Sequence, residues 1–168
     1  GIATLINTFK ELEDKGIKGK VLVSQYLNFT QPEALKSLLK FNNIESRIII
    51  DGDFHAKGYL FKKANYIDLI IGSSNLTASA LTTNKEWNLK ISATQTSHIA
   101  ESAIHEFTTE FENATVVDHK YINEYNKIYI KQKKNNVIIK NDTDSLSTKK
   151  PKPNLMQTKA LKNLNTLR

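Results

Sequence analysis

Short apolar runs rich in β-branched residues alternate along this chain with segments whose apolar residues recur every three or four positions. The first pattern predicts buried strands, and the second places apolar side chains on one face of a helix. Strands are predicted at Lys20–Tyr26, Ser46–Ile50, His55–Phe61, Tyr66–Ile71 and Glu86–Ser92. Helices are predicted over residues 2–15, 30–39, 76–81, 97–111 and 118–134, with Thr30 and Ser97 as N-caps. This alternation indicates a layered α/β domain.

The composition excludes several classes of protein. The chain has 168 residues, which is room for one domain and a tail. It has no cysteine, which excludes disulfides and thiolate metal sites. No apolar run approaches the roughly 20 residues that a membrane-spanning helix needs. Because no leader precedes the first helix either, we expect a soluble, cytoplasmic protein that does not bind a membrane.

The charge is distributed unevenly along the chain. The net charge is +7, but residues 1–117 carry 12 basic and 13 acidic side chains, a balance of −1. Residues 118–168 carry 12 basic and 4 acidic side chains, and the whole excess therefore lies in the last third. A basic segment is typical of nucleic-acid binding and equally of a solvated tail, so charge alone identifies no partner.

Two motifs carry the chemistry. His55 and Lys57 are two residues apart, so on a strand they project from the same face. An imidazole and an ammonium so close would repel if both were charged, which favours the neutral, nucleophilic histidine. The next strand ends in Gly72–Asn75, whose hydroxyls, amide and backbone N–H groups suit a phosphate. Together the motifs indicate phosphodiester cleavage through a phosphohistidine.

This H-x-K motif followed by G-S-x-N resembles the phospholipase D superfamily over about residues 1–112. The pattern looks closest to the nuclease domains of restriction endonucleases and of superfamily-two (DEAD/DEAH-type) bacterial helicases, where such a domain is N-terminal. The resemblance implies a phospholipase D-like layered fold, with a mixed central β-sheet flanked by helices. It also implies an endonuclease that hydrolyses DNA phosphodiester bonds without a metal or other cofactor.

The resemblance implies a role for each residue of the two motifs. His55 would attack phosphorus and form the covalent intermediate. Lys57 and Asn75 would bind the non-bridging oxygens and stabilise the pentacovalent state. Ser73 or Ser74 would add a hydroxyl contact to the substrate phosphate. Glu86, eleven residues after Asn75, would orient the His55 ring and fix its tautomer.

The chain departs from the family pattern in two respects. Lys62 stands where the motif usually has an aspartate, a residue that some nuclease members also lack. Family members use two motifs and this chain has one, so the resemblance implies a homodimer whose sites face each other across a twofold axis. A catalytically inactive DNA-binding or dimerisation module of a helicase is the main alternative. A phospholipid-cleaving phospholipase D is a second alternative, disfavoured by the missing leader and second motif.

Several residues outside the motifs have two interpretations each. Lysines at four positions share one face of the 118–134 helix, where they would contact a DNA backbone or simply solvent: Lys120, Lys127, Lys131 and Lys134. Trp87 is interpreted as a core or dimer-interface aromatic in preference to a base-stacking platform. His98 and His105 share a helical face but offer too few ligands for zinc, so no metal site is predicted.

The C-terminal segment predicts a second domain. Residues 135–152 are polar with little to bury, which is typical of a flexible linker after a nuclease domain at 1–134. Residues 153–168 resemble the adenine-reading segment of superfamily-two helicases, with Gln157 as the adenine contact. We therefore expect a fragment of a restriction- or repair-type nuclease–helicase, in which ATP and Mg²⁺ would serve only the helicase part. An ordinary amphipathic helix is the alternative for this segment.

Overall fold

The computed structural model describes residues 2–25, 30–51 and 54–142, together with Thr158. The chain divides into two compact units, Gly1–Gln132 and Lys133–Arg168. After a 3₁₀ turn at Ile2–Leu5, the described helices are α1 (Ile6–Asp14), α2 (Pro32–Leu38), α3 (Ala78–Thr82), α4 (His98–Asn113) and α5 (His119–Asp142). The described strands are β1 (Gly19–Ser24), β2 (Ile44–Ile49), β3 (Gly58–Lys62), β4 (Tyr66–Gly72), β5 (Asn88–Thr94) and β6 (Thr115–Val116).

The main hydrophobic core lies on one face of a mixed sheet. Strand β2 is central in this sheet, pairing in parallel with β1 and antiparallel with the short β6. Ile48 of β2 is fully buried and packs in one cluster with Leu35 of α2 and with Ile122 and Tyr125 of α5. Removing these four side chains from water is the main contribution that holds the two helices on the sheet.

Helix α4 packs on the opposite face of the same sheet. The Arg47 guanidinium lies 4.7 Å from the centroid of the fully buried Phe111 ring. It also donates to the main-chain oxygens of Phe111 and Glu112, at 3.1 and 3.0 Å, in the last turn of α4. Helices therefore cover both faces of the sheet, and the predicted layered α/β class is confirmed.

A second, antiparallel sheet has the order β3-β4-β5. Asp68 lies in its central strand, 5% exposed, and accepts hydrogen bonds from Ser92 of β5 and from Lys63, the latter at 3.0 Å. Lys90 lies 3.5 Å from the same carboxylate. The hydrogen bonds from Ser92 and Lys63, helped by the two ammonium charges, lower the pKa of Asp68 to about 2. A charged carboxylate thus links the hairpin of β3 and β4 to β5.

The described strands form two three-stranded sheets, and the mixed one has helices on both faces as predicted. One edge of β2 pairs with β1 and the other with β6. Strand β6 takes its edge through the pairs Arg47 with Val116 and Ile48 with Thr115.

Several helix ends differ from the prediction, among them the start of α2 and the end of α5. Gln31 is the N-cap of α2, because the Thr30 hydroxyl donates instead to the Ser24 carbonyl at 2.7 Å. Ser97 does cap α4 as predicted, accepting from the Ala100 N–H. Helix α5 continues eight residues past the predicted end at Lys134, since nothing between there and Asp142 is Pro or Gly and asparagine costs a helix little.

The rest of the predicted linker after residue 142 lies outside the described residues. The same holds for the segment compared with helicases, of which only Thr158 is described. Among the helices that the structure describes, none combines the length and hydropathy that crossing a membrane requires.

Candidate active site

Strand register brings three segments together at one end of the antiparallel sheet. Gly58 pairs with Ile71, and Gly72 pairs with Asn88. The residues before β3, those after β4 and those before β5 are therefore neighbours, as antiparallel pairing requires. The Gly72 N–H donates to the Lys57 carbonyl at 3.3 Å and the Ser73 N–H to the Trp87 carbonyl at 3.0 Å. These bonds join both predicted motifs to the segment that contains Glu86.

His55 and Lys57 are in contact, although they lie before β3 and not within a strand as predicted. The strand begins only at Gly58, where the residue-by-residue register with β4 starts. The Lys57 ammonium lies 2.9 Å from Nδ1 and 3.0 Å from Nε2 of the exposed His55 ring. The two side chains of the first motif therefore meet, with the cation about equally close to both ring nitrogens.

Glu86 is held by hydrogen bonds from two sides. Its carboxylate accepts from the Ser73 hydroxyl and from the Asn84 amide, the latter at 3.2 Å. These two bonds, the first being the stronger influence, and the nearby charge of Lys57 lower the pKa of Glu86. The carboxylate is therefore ionised at neutral pH and compensates the lysine charge. That Glu86 orients the His55 ring stays a prediction.

Ser74 differs from its predicted role. It is 5% exposed, and its hydroxyl accepts from the Asn88 side-chain amide at 2.7 Å. Its N–H donates to Asn88 Oδ1 at 3.4 Å, and its carbonyl accepts from the Tyr59 hydroxyl at 3.0 Å. A buried hydroxyl already paired in this way is not presented to a phosphate, so the prediction of Ser74 as a phosphate contact is wrong for this conformation.

The exposed residues of the turn are Ser73 and Asn75. The N–H groups of Ser73 and Ser74 are bonded within the protein, so they do not form the backbone cradle that the sequence predicted. The following helix begins at Ala78, two residues later than predicted, because Thr77 caps it by accepting from the Ala80 N–H. An anion at this edge of the sheet would therefore meet side chains and not the N-terminus of a helix.

The sequence did not predict that Tyr59 and Asn88 contact the turn of the second motif. Burial, and secondarily the charge of Glu86, raises the pKa of Tyr59, which keeps its hydroxyl protonated and able to donate. Tyr59 could have been found from the sequence, because His55, Lys57 and Tyr59 are each two residues apart and would share one face of a strand. Nothing in the local sequence indicates a role for Asn88, because its contact with Ser74 depends on how β5 aligns with β4.

Trp87 is 90% exposed, so its interpretation as a core residue is wrong. Ile71 and Leu89, which pair across β4 and β5, are also exposed, at 52% and 63%. These three side chains form an exposed apolar row directly beside Ser73 and Glu86. An interface aromatic remains the prediction for Trp87.

The other residues that the sequence singled out lie in α4 and α5, far along the chain from the three segments of the site. Lys120, Lys127 and Lys131 are exposed on α5, and the side chain of Lys134 is outside the described part. His98 and His105 are exposed on α4. Among the described residues, no three His, Asp or Glu side chains lie close enough to hold a metal ion together.

The site therefore combines an imidazole, an ammonium, a carboxylate, a hydroxyl and an amide at one exposed end of a sheet. The family model described as "Cardiolipin synthase, PLD-like domain" matches residues 3–115, which include all of these groups. A comparison with curated proteins finds no significant match. The matched segment covers more than half of the chain and contains the candidate site and both sheets except Val116, and the chain belongs to this family of phospholipase D-like domains.

Proposed function

We propose that this chain is a phosphodiesterase domain that cleaves DNA through a phosphohistidine intermediate and needs no metal ion. Membership in the family supports phosphodiester chemistry in general. The observation that carries the finer proposal is the contact between the Lys57 ammonium and the His55 ring nitrogens. It joins a nucleophile to a cation that would neutralise phosphate oxygens, at an end of the sheet where Asn75 is exposed.

In the proposed reaction, a His55 ring nitrogen forms a bond to phosphorus while the bond from phosphorus to the leaving oxygen breaks. Lys57 and Asn75 stabilise the charge on the non-bridging oxygens. The leaving oxygen takes a proton from His55 of the partner subunit. Water then forms a phosphorus–oxygen bond as the nitrogen–phosphorus bond breaks, and its proton returns to the partner's histidine. The reaction is balanced by one water and needs no cofactor.

The test of this function is cleavage in excess EDTA. We expect the chain to cut plasmid or single-stranded DNA with EDTA present, at a rate that added Mg²⁺ does not raise. A requirement for Mg²⁺ would contradict the mechanism. Binding without any cleavage would favour the inactive-module alternative, whose motivation is Lys62 in place of the aspartate. Cleavage of phosphatidylglycerol vesicles but not of DNA would favour a lipid phosphodiester, the substrate class that the family name indicates.

We also propose that two copies assemble through the apolar row of Ile71, Leu89 and Trp87. An uncharged patch can face a copy of itself across a twofold axis without repulsion, whereas a lysine patch cannot. The row adjoins the site, so its burial would bring the two half-sites together. Large exposed apolar patches on soluble proteins mark interaction sites.

Trp87→Ala is therefore expected to shift the protein from dimer to monomer and to lower cleavage in proportion to the dimer lost. Sedimentation velocity at the assay concentration measures the first effect. Phe61→Ala is the matched control, since Phe61 is a half-exposed aromatic of the same sheet with its side chain on the other face. Cleavage by a wild-type protein that sediments as a monomer would contradict the dimer.

The basic face of α5 and the C-terminal residues complete the proposal. The exposed Lys120, Lys127 and Lys131 would contact a DNA backbone, giving affinity without sequence specificity. The +8 balance of residues 118–168 supports this partner. The covalently linked helicase with its ATP site remains a proposal based on the sequence of residues 153–168.

A further inference from the structure

Ser74 is held by three hydrogen bonds that come from both neighbouring strands. Tyr59, in β3, donates its hydroxyl to the Ser74 carbonyl. Asn88, in β5, donates to the Ser74 hydroxyl and accepts from the Ser74 N–H. Every polar atom of this buried residue is therefore paired with a side chain from one of the two adjacent strands.

The neighbours of Ser74 face the opposite way. Ser73 and Asn75 are both exposed, and Ser73 is bonded to the Glu86 carboxylate. The backbone of Ser74 lies directly between them, so its position determines where the Ser73 hydroxyl and the Asn75 amide project. Without the three bonds, the buried groups of Ser74 would lack partners, and the turn would relax towards water to satisfy them.

We propose that Tyr59 and Asn88 are positioning residues, which act through Ser74 to fix Ser73 and Asn75 against the substrate phosphate. This inference rests on the proposed function for its kinetic test. Neither side chain needs to touch the substrate. Their effect is to preorganise the turn, because groups that stabilise a transition state must already be in place when its charge develops.

The first test compares variants with a matched control. Tyr59→Phe removes one hydroxyl and Asn88→Ala removes two bonds, whereas Ser92→Ala removes a hydroxyl bonded to Asp68 elsewhere in the same sheet. We expect Tyr59→Phe to lower kcat about fivefold, the rate equivalent of one ordinary hydrogen bond, with KM nearly unchanged. Asn88→Ala should lower kcat further, and Ser92→Ala should leave kcat unchanged.

Ser74→Ala provides a second, more specific comparison. Once the Ser74 hydroxyl is absent, the amide of Asn88 has lost that partner, so Asn88→Ala should cost less in this background than in the wild type. Additive losses of kcat would overturn the inference. An equal loss in Ser92→Ala would also overturn it, because the effect would then be a general weakening of the sheet.

A readout independent of activity separates this inference from the proposed function. Amide hydrogen exchange at Ser73 and Ser74, followed by NMR, should be faster in Tyr59→Phe and Asn88→Ala than in Ser92→Ala. If the wild type does not cleave DNA but this pattern appears, the proposed function fails and the positioning of the turn stands. If exchange at the turn is the same in all three variants, the positioning role is wrong whatever the activity.

Discussion

His55→Ala is expected to abolish DNA cleavage, with a loss of at least about a thousandfold in kcat. The ring supplies the nitrogen that bonds to phosphorus, and a methyl group has no lone pair to replace it. Lys57 would keep its charge, and the turn at Gly72 would keep its hydrogen bonds, so DNA binding should change little. Single-turnover cleavage in EDTA measures the first quantity, and a filter-binding titration measures the second.

His98→Ala is the matched control for this variant, because His98 is also an exposed histidine but lies in α4. It should cleave DNA at the wild-type rate. Cleavage that survives in His55→Ala would exclude the phosphohistidine mechanism. A parallel loss of DNA binding would instead place His55 among the groups that hold the substrate.

Gly72→Ala is expected to destabilise the protein by about 2 kcal/mol or more and to reduce cleavage. A Cβ at Gly72 would lie 2.2 Å from both the Trp87 carbonyl oxygen and the Asn88 Oδ1, and 2.7 Å from the Asn88 Cα. Two of these atoms belong to the backbone, so no side-chain rotation can relieve the overlap. The strands β4 and β5 must separate at the point where they present the site, and urea denaturation measures the cost.

Gly58→Ala is the control for this effect. Gly58 also lies in the antiparallel sheet, but its added Cβ would meet only the Ile70 carbonyl oxygen at 3.8 Å, an ordinary contact. Glycine in a strand costs roughly 0.5–1 kcal/mol relative to alanine, so this variant should be as stable as the wild type or slightly more stable. Equal destabilisation by both substitutions would show that steric overlap at Gly72 is not the cause.

The sequence predicted which groups lie close together better than it predicted how the surrounding structure holds them. His55 and Lys57 are only two peptide bonds apart, so their contact is local and forms even though the segment lies outside β3. The burial of Ser74 depends instead on Asn88, fourteen residues away, and on the register of β5 against β4. Register is set by the packing of the whole sheet, which no short motif contains.

Helix α5 gives a similar comparison. The spacing of apolar residues along the predicted 118–134 helix placed Tyr121 and Tyr125 on one face, and Tyr125 is 2% exposed. It also placed Ile128 on that face, yet Ile128 is 46% exposed and Ile122 is buried instead. A helical pattern gives the direction of the apolar face only to within a residue or so, because its exact orientation is set by the elements it packs against.

Trp87 has a practical consequence for studying this protein. It is the chain's single tryptophan, and it is 90% exposed beside the site. Its indole is already surrounded by water in the folded chain, so its fluorescence emission should change little on unfolding. Any molecule that covers the site, whether a second copy or a nucleic acid, would remove that water and shift the emission to shorter wavelength. The chain thus carries an intrinsic fluorophore that reports on occupancy of its site, and its emission changes little on unfolding only where no second copy covers it.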